Sequence, residues 1–236
     1  MQIGERRKPA PKAQPGFLRI DTVHQGDSPE GKGIYHINAV DEVTQWEVVL
    51  ATPRISEAWL TPLLDSLIHQ FPFAILNFHS DNGSEFINKT VAQLLKKLLI
   101  EQTKSRPRKS GDNGLVETKN AAIVRKHIGW GYISPAQAAP INQFYTGFLN
   151  PYVNYHRPSA QAEVQIDAKG RKRRLYKHWK TPLEKLLSLD RPQQYLCPGM
   201  SINALKRVAA TMSDTEAAQR MQQARNSMFE EMRRSA

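Results

Sequence analysis

The sequence has one cysteine, no apolar run long enough for a membrane span, and fewer acidic than basic residues. Cys197 stands alone, which excludes an internal disulfide and, with no second cysteine near it, a cysteine zinc site; it reads as an ordinary small side chain. No stretch of about eighteen apolar residues occurs, and "MQIGERRKPAPKAQPG" lacks the apolar centre of a secretion signal. Membrane insertion and export by the standard route are therefore not expected, and the chain reads as intracellular. The acids number 22 against 33 Lys and Arg, a net charge of +11. That imbalance favours a polyanionic partner, nucleic acid first.

What is present is enough for one globular core with appended segments: 236 residues, 40% of them hydrophobic. Residues 1–16, rich in Pro, Gly, Arg and Lys, read as a basic linker or tail. Order is expected from Phe17. "GFLRIDTVHQ" and "KGIYHINAVDEVTQWEVVLATP" predict three strands in meander order, with "DEVT" as a turn. A helix follows, with Ile55, Trp59, Leu63 and Leu67 at helical spacing and Ser56 as N-cap; Pro62 inside the pattern predicts either a kink there or a helix that begins at Thr61-Pro62 instead. "FAILNFHS" predicts a fourth strand, "NKTVAQLLKKLLI" a helix capped by Asn88, and "IEQTKS" a fifth strand. After the loop "RPRKSGDNG", Leu115 to Ile128 predicts a helix ending at Gly129. Another helix is expected from about residue 135, with Pro140 and Pro151 limiting its continuity. The chain divides into the tail 1–16, a core 17–158, a basic extension 159–190, and a partly helical tail 191–236, charged on most sides and expected to fold only against a partner.

The core order β-β-β-α-β-α-β-α puts Asp21 in the first strand, Asp81 after the fourth, and Glu117 in the helix after the fifth. Such a mixed sheet brings the end of strand four beside the centre of strand one, with the later helix crossing the same edge. Three carboxylates placed together repel one another unless a cation joins them. Oxygen-only ligands suit Mg²⁺ or Mn²⁺. Two such ions can activate a water or a DNA 3′-hydroxyl and stabilise the leaving oxygen in an in-line displacement at phosphorus.

These residues carry a resemblance. "RIDTVH", "HSDNGSEF" and "DNGLVETKN" resemble the Asp, Asp, Glu signature of the integrase and transposase superfamily catalytic core, with thirty-five residues between Asp81 and Glu117. "YVNYHRPS", the basic stretch and "KTPLEKLLSL" are closer to bacterial insertion-sequence transposases than to viral enzymes. The resemblance covers roughly residues 17–190. It implies an α/β, ribonuclease-H-like fold with a mixed five-stranded sheet flanked by helices and a basic C-terminal extension. It also implies Asp21, Asp81 and Glu117 as catalytic residues and as ligands of two Mg²⁺ or Mn²⁺ ions. Asn120 would line the active-site edge of its helix, consistent with 117, 120, 121 and 124 sharing one helical face. Related enzymes often carry a DNA-contacting cation seven residues past the glutamate, where this chain has Val124; Arg125 or Lys126 are the substitutes. The implied function is DNA strand transfer, on element ends and target DNA, by a dimer or higher assembly in the bacterial cytoplasm, nucleoid-associated when bound to DNA, without a membrane. Sixteen residues before the core are too few for the end-recognition domain such transposases normally have, so a truncated, non-enzymatic DNA-binding remnant stands as a rival, as does a nuclease without strand transfer.

Each residue also has a plainer reading. Asp81 alone is a turn residue; the coincidence of three elements makes it a ligand. Asp41, with Glu42, is expected in a solvated hairpin turn, Asp112 as a cap or loop residue, and Glu85 as a first-turn surface charge. His24 and His79 flank the aspartates, but hydrogen bonding in the sheet is the favoured role. Asn82 and Gly83 permit the strand exit, glycine through unusual backbone angles. The loop bearing Lys104, Arg106, Arg108 and Lys109 reads equally as a holder of DNA backbone or as a solvated loop. The stretch 169–180, with Arg171, Lys172, Arg173 and Arg174 interleaved with aromatics, is weighted toward DNA.

Overall fold

A computed structural model describes residues 3–29, 31–166 and 170–234. Its elements, in chain order, are β1 (Glu5–Arg6), β2 (Phe17–His24), β3 (Asp27–Ser28), β4 (Gly31–Lys32), β5 (Tyr35–Asp41), β6 (Glu47–Thr52), α1 (Glu57–Ile68), β7 (Asn77–Ser80), α2 (Lys89–Lys97) and β8 (Glu101–Lys104). Then come α3 (Gly114–Lys119), continued by a π-turn over Asn120–Arg125 into α4 (Lys126–Ile128), and α5 (Ala138–Phe144), continued through π-turns at Tyr145–Leu149 and Tyr152–His156. The rest is a hairpin of β9 (Ser159–Ile166) and β10 (Lys172–Lys180), then α6 (Pro182–Leu187), α7 (Ile202–Ala209) and α8 (Asp214–Arg234).

The main sheet has the order β1-β8-β7-β2-β5-β6. β2, β5 and β6 form the antiparallel meander, while β7 and β8 run parallel to β2. The five anticipated strands are all present. A sixth, two-residue strand comes from the segment read as a linker: Glu5 pairs with Thr103 and Arg6 with Lys104, and Lys104 Nζ donates to the Ile3 carbonyl at 2.7 Å.

The pleat divides the strands between two cores. Leu18, Ile20, Ile37, Ala39, Val48 and Leu50 pack toward α1, α2, α6 and α7. Val23, Val49 and Ala51 pack on the other face against Ile123 and Val124, the long helix at Ile141, Phe144 and Tyr145, and Met221 and Met228 of α8. The sheet is thus a middle layer, and α8 finds its partner within the chain.

Three expectations are corrected. α1 buries Leu60, Leu64 and Leu67, while Trp59 is 49% exposed. The apolar stripe is displaced by one position because both registers have helical spacing and docking on the sheet selects one. Pro62 sits on the exposed side, where the carbonyl it leaves without a donor meets water, so the helix continues. Asp41 is not solvated: it is fully buried and accepts hydrogen bonds from the backbone of Gly16, Phe17, Val43 and Thr44 and from the Thr44 hydroxyl. It fastens the entrance of β2 to the β5–β6 turn. Burial pushes its carboxyl upward in pKa, and these donors oppose the shift. The helix from 135 passes both prolines, because π-turns on either side of Pro151 relax the ladder its missing N–H would break.

That helix also closes the sheet edge. Asn154, Asn150 and Asn142 each use a side-chain amide to accept from one backbone N–H of β6 and donate to the same residue's carbonyl, at Glu47, Val49 and Ala51 respectively, over 2.6–3.1 Å. The asparagines take the place of a neighbouring strand and satisfy groups that would otherwise stand free.

Candidate active site

Asp21 lies near the middle of β2, directly across from Asn38 on β5. β2 pairs with β7 through Arg19 and His79, and the same register carried two residues further sets Asp21 level with Asp81, the first residue past β7. Adjacent strands are about 5 Å apart, so sheet geometry alone brings the two carboxylates near one another. Glu117 arrives from α3, which packs across β2 and β5. Asn113 holds that helix start to the sheet by donating to the Ile20 carbonyl at 3.0 Å.

Asp21 is half-buried, and Asp81 and Glu117 are exposed. The Asp21 carboxyl accepts from its neighbour's backbone, Thr22 N–H, at 2.9 Å and from Asn120 Nδ2 at 2.7 Å; Asn120 Oδ1 in turn accepts from Asn38 Nδ2 at 3.0 Å. Burial raises the pKa of Asp21, those two donors oppose the rise, and repulsion from Asp81 and Glu117 adds to it. Asp81 and Glu117 are therefore both close enough to Asp21 to disfavour its charge. Among the described residues no three Asp, Glu, His or Cys side chains converge tightly enough to form a finished metal cage. The donor set nevertheless fits a hard divalent ion: oxygen-only, anionic, mutually repelling, and with no cation among the hydrogen-bond partners of Asp21.

The turn after β7 is made by Asp81 itself, whose Oδ1 accepts from Gly83 N–H at 2.8 Å. Gly83 does not have a positive φ, so the expected unusual backbone angles are absent, and a Cβ there would meet only the carboxylate end of the Glu85 side chain, which can turn aside. His79 is fully buried between the hydroxyls of Thr103 at 2.9 Å and Ser105 at 3.3 Å, and burial lowers its pKa to about 3, which leaves it a neutral sheet residue. His24 stacks on Tyr35 and faces Asp27.

The cations are placed unequally. Lys104 is buried against the N-terminal segment. Arg106 forms a two-pronged pair with Asp112, at 2.9 and 2.8 Å, which holds that carboxyl well below the usual range. Arg108 and Lys109 are exposed in the loop leading to α3, and Lys126 is exposed past the π-turn. Arg125 is turned inward, donating to the His24 carbonyl and to Gln25 Oε1. Val124 is fully buried, so the expected shared face of 117, 120, 121 and 124 fails at its last member, where the π-turn shifts the helical phase. Arg171 and Arg173 lie exposed on the hairpin, with Tyr176 and Trp179 at 55% and 66% exposure. Lys172 and Arg174 lie on β10, and their side chains fall outside the described residues.

Sequence reasoning missed a buried ion pair beneath this site. Lys119, on α3, and Glu47, on β6, are 6% and 1% exposed, with Nζ and Oε2 3.7 Å apart. A lysine between Glu117 and Asn120 in a helix whose other face lines the site was the available signal.

Residues 11–110 match the integrase core domain family, a stretch that contains Asp21 and Asp81 and ends seven positions before Glu117. The chain is 30% identical over 147 residues to the uncharacterized protein y4rM of Sinorhizobium fredii, covering 61% of this chain and 42% of that protein. The chain thus spans about two fifths of the length of that curated relative. Among solved structures it is similar to the catalytic core domain of BIV integrase, at 20% identity and a TM-score of 0.39 over 48% of this chain and 68% of that one. It is also similar to a chain of a simian T-cell lymphotropic virus intasome in complex with a PP2A regulatory subunit, at 19% identity and a TM-score of 0.43 over 54% and 44%. Residues 11–110 thus match the integrase core domain family, and over them the chain has the mixed sheet flanked by helices that the sequence led one to expect.

Proposed function

We propose that the chain is a metal-dependent DNA strand-transferase core, hydrolysing phosphodiesters at the 3′ ends of an element and joining the freed 3′-hydroxyls to target DNA. The observation that carries the reading is the common neighbourhood of Asp21, Asp81 and Glu117, from two parallel strands and a crossing helix, where each of the other two carboxylates disfavours charge on Asp21. These three side chains would hold two Mg²⁺ or Mn²⁺ ions, which when bound supply activation of the attacking oxygen and neutralisation of the leaving one. Asn120 orients the Asp21 carboxylate, and Asn38 fixes the Asn120 amide. The Gly83 N–H holds one Asp81 oxygen in the turn. Arg108 and Lys109, exposed beside the start of α3, offer phosphate contacts that position DNA without reading its sequence. Arg173, Tyr176 and Trp179 extend such contacts along the hairpin. Assembly as a dimer or larger complex on DNA, in the bacterial cytoplasm and on the nucleoid, belongs to the same proposal. No helix among the described residues is long and apolar enough to cross a membrane.

The test is incubation of the purified chain with labelled DNA duplex ends and Mn²⁺, beside Asp81→Asn. Joined products that vanish in the variant support strand transfer. Cleavage without joining indicates a nuclease, and salt-sensitive binding indifferent to metal and variant would sink both enzymatic readings.

A further inference from the structure

At the far end of the helix that begins with α3, the chain makes a Gly129-Trp130-Gly131 turn, and Trp130 stands 74% exposed. Two glycines around a large exposed indole suggest a loose loop, but the hydrogen bonds show the opposite. Gln25, buried just past the end of β2, donates through Nε2 to the carbonyls of Gly129 at 3.1 Å and Gly131 at 2.7 Å, one on each side of the tryptophan. Gln25 is itself fixed through Oε1, which accepts from Arg125 at 3.0 Å and meets the buried His36 at 3.1 Å. Ile34 N–H donates to the Ile133 carbonyl at 3.0 Å and pins the segment leaving the turn.

The indole also has a charged backing. The Arg125 guanidinium lies 4.5 Å from the ring centroid and is anchored by the His24 carbonyl at 2.8 Å. One ring face is thus occupied by a held cation, and the 74% exposure leaves most of the indole open to a flat partner. An ordered aromatic with a cation behind it loses little freedom when a planar group stacks on it.

We propose that Trp130 is a stacking platform for an unpaired nucleobase at the DNA end, seated by a tryptophan that Arg125 and Gln25 hold in place. The proposal rests on the reading of the site as one that acts on DNA. Gln25, which holds the turn bearing Trp130, is four residues beyond Asp21 and so at most about 13 Å from it along the chain, a span of a few nucleotides from a phosphate at Asp21. Exposed Lys126 on the adjoining helix and the net charge of +11 favour a polyanion over an apolar peptide as the occupant. A base offers the planar π-face that suits the indole, and a paired base inside a duplex does not present it.

The full-length chain is titrated, without divalent metal, into two DNA duplexes. One ends in a two-nucleotide overhang carrying 2-aminopurine, and the other is blunt. Trp130→Ala is expected to weaken binding to the overhang by roughly 5- to 150-fold, the range of one stacked base, and to abolish quenching of the 2-aminopurine. Trp130→Phe is expected to keep most of both. Blunt duplex should bind with less than about a twofold change, and melting temperatures should match because the side chain is exposed. Equal binding of the overhang by wild type and Trp130→Ala overturns the proposal, as does an equal loss on both duplexes. A shift to a smaller assembly by light scattering on Trp130→Ala assigns the residue to a contact between copies and overturns it too. If wild type binds neither duplex, the DNA reading itself has failed, whereas intact binding and joining by Trp130→Ala would remove only the platform.

Discussion

Lys119→Met tests how the helix bearing Glu117 and Asn120 is held. Glu47 is 1% exposed, and neither of its carboxylate oxygens has a hydrogen-bond partner among the described residues. Burial raises its pKa to about 7; attraction to Lys119, the nearby Asn38 amide and Arg157 oppose the rise. The raised value means that the folded chain holds this proton more tightly than the unfolded chain. Stability therefore falls as pH rises from the unfolded carboxylate value to about 7, at roughly 1.4 kcal/mol per unit, or about 3 kcal/mol across the window. Above that window Glu47 is ionised and Lys119, at 3.7 Å, is its compensating charge. Replacing Lys119 by methionine removes the attraction that lowers the Glu47 pKa, so at pH 8 the carboxyl stays protonated in the fold while the unfolded chain ionises, and relative to pH 5.5 the variant should lose up to about 1.4 kcal/mol more than the wild type. At pH 5.5 Glu47 is protonated in both proteins. There the wild type carries the unmatched charge, on a lysine whose pKa burial lowers, and methionine should be neutral or stabilising. Urea unfolding at the two pH values measures the difference. Glu47→Gln combined with Lys119→Met should recover most of the pH 8 loss. Equal destabilisation at both pH values, or a double variant as unstable as the single one, would refute the argument.

Three other predictions use different parts of the fold. Asn154→Leu leaves the Glu47 N–H and carbonyl on the edge of β6 without partners and should cost about 1–3 kcal/mol for each unmet group, read as a lower melting temperature. Gly16→Ala combines a φ of +102° with a Cβ placed 2.3 Å from the Ala74 carbonyl oxygen, so urea unfolding should show a loss of at least about 1–3 kcal/mol. Arg106→Ala frees Asp112, whose pKa the arginine depresses; amide exchange in residues 106–113 should quicken near pH 7, and the difference from wild type should persist as pH falls through the usual carboxylate range, where Asp112 protonates in the variant but stays ionised beside Arg106 in the wild type.

The strands, and the placing of Asp21 on a strand, Asp81 just past one and Glu117 in a helix, were legible because each rests on a local pattern: β-prone runs bounded by turns, a polar strand exit at Asp81, and a helix start before Glu117. What was hidden depends on contacts between distant segments. Asp41 looks like a turn residue in sequence, and only the return of β2 beside it buries the carboxylate and brings the Gly16 and Phe17 donors. Helical spacing allowed either of two stripes on α1, and the sheet surface selected Leu60, Leu64 and Leu67. The π-turn that turns Val124 into the core breaks the period from which its face was read. Asn142, Asn150 and Asn154 resemble solvent-facing helix polars until β6 is seen to lie alongside them. The hairpin's basic and aromatic residues were visible from composition, but composition carries no information on which of them face a partner.

Asp21, Asp81 and Glu117 are proposed to act as one cation site. Electron paramagnetic resonance of Mn²⁺, titrated into the full chain with and without duplex DNA, measures this without requiring turnover. The account predicts saturable binding that approaches two ions per chain with DNA present and is strongly weakened by Asp21→Asn, by Asp81→Asn and by Glu117→Gln, while Asp41→Asn, if folded, leaves it intact. Mn²⁺ binding unchanged in the three variants would contradict it.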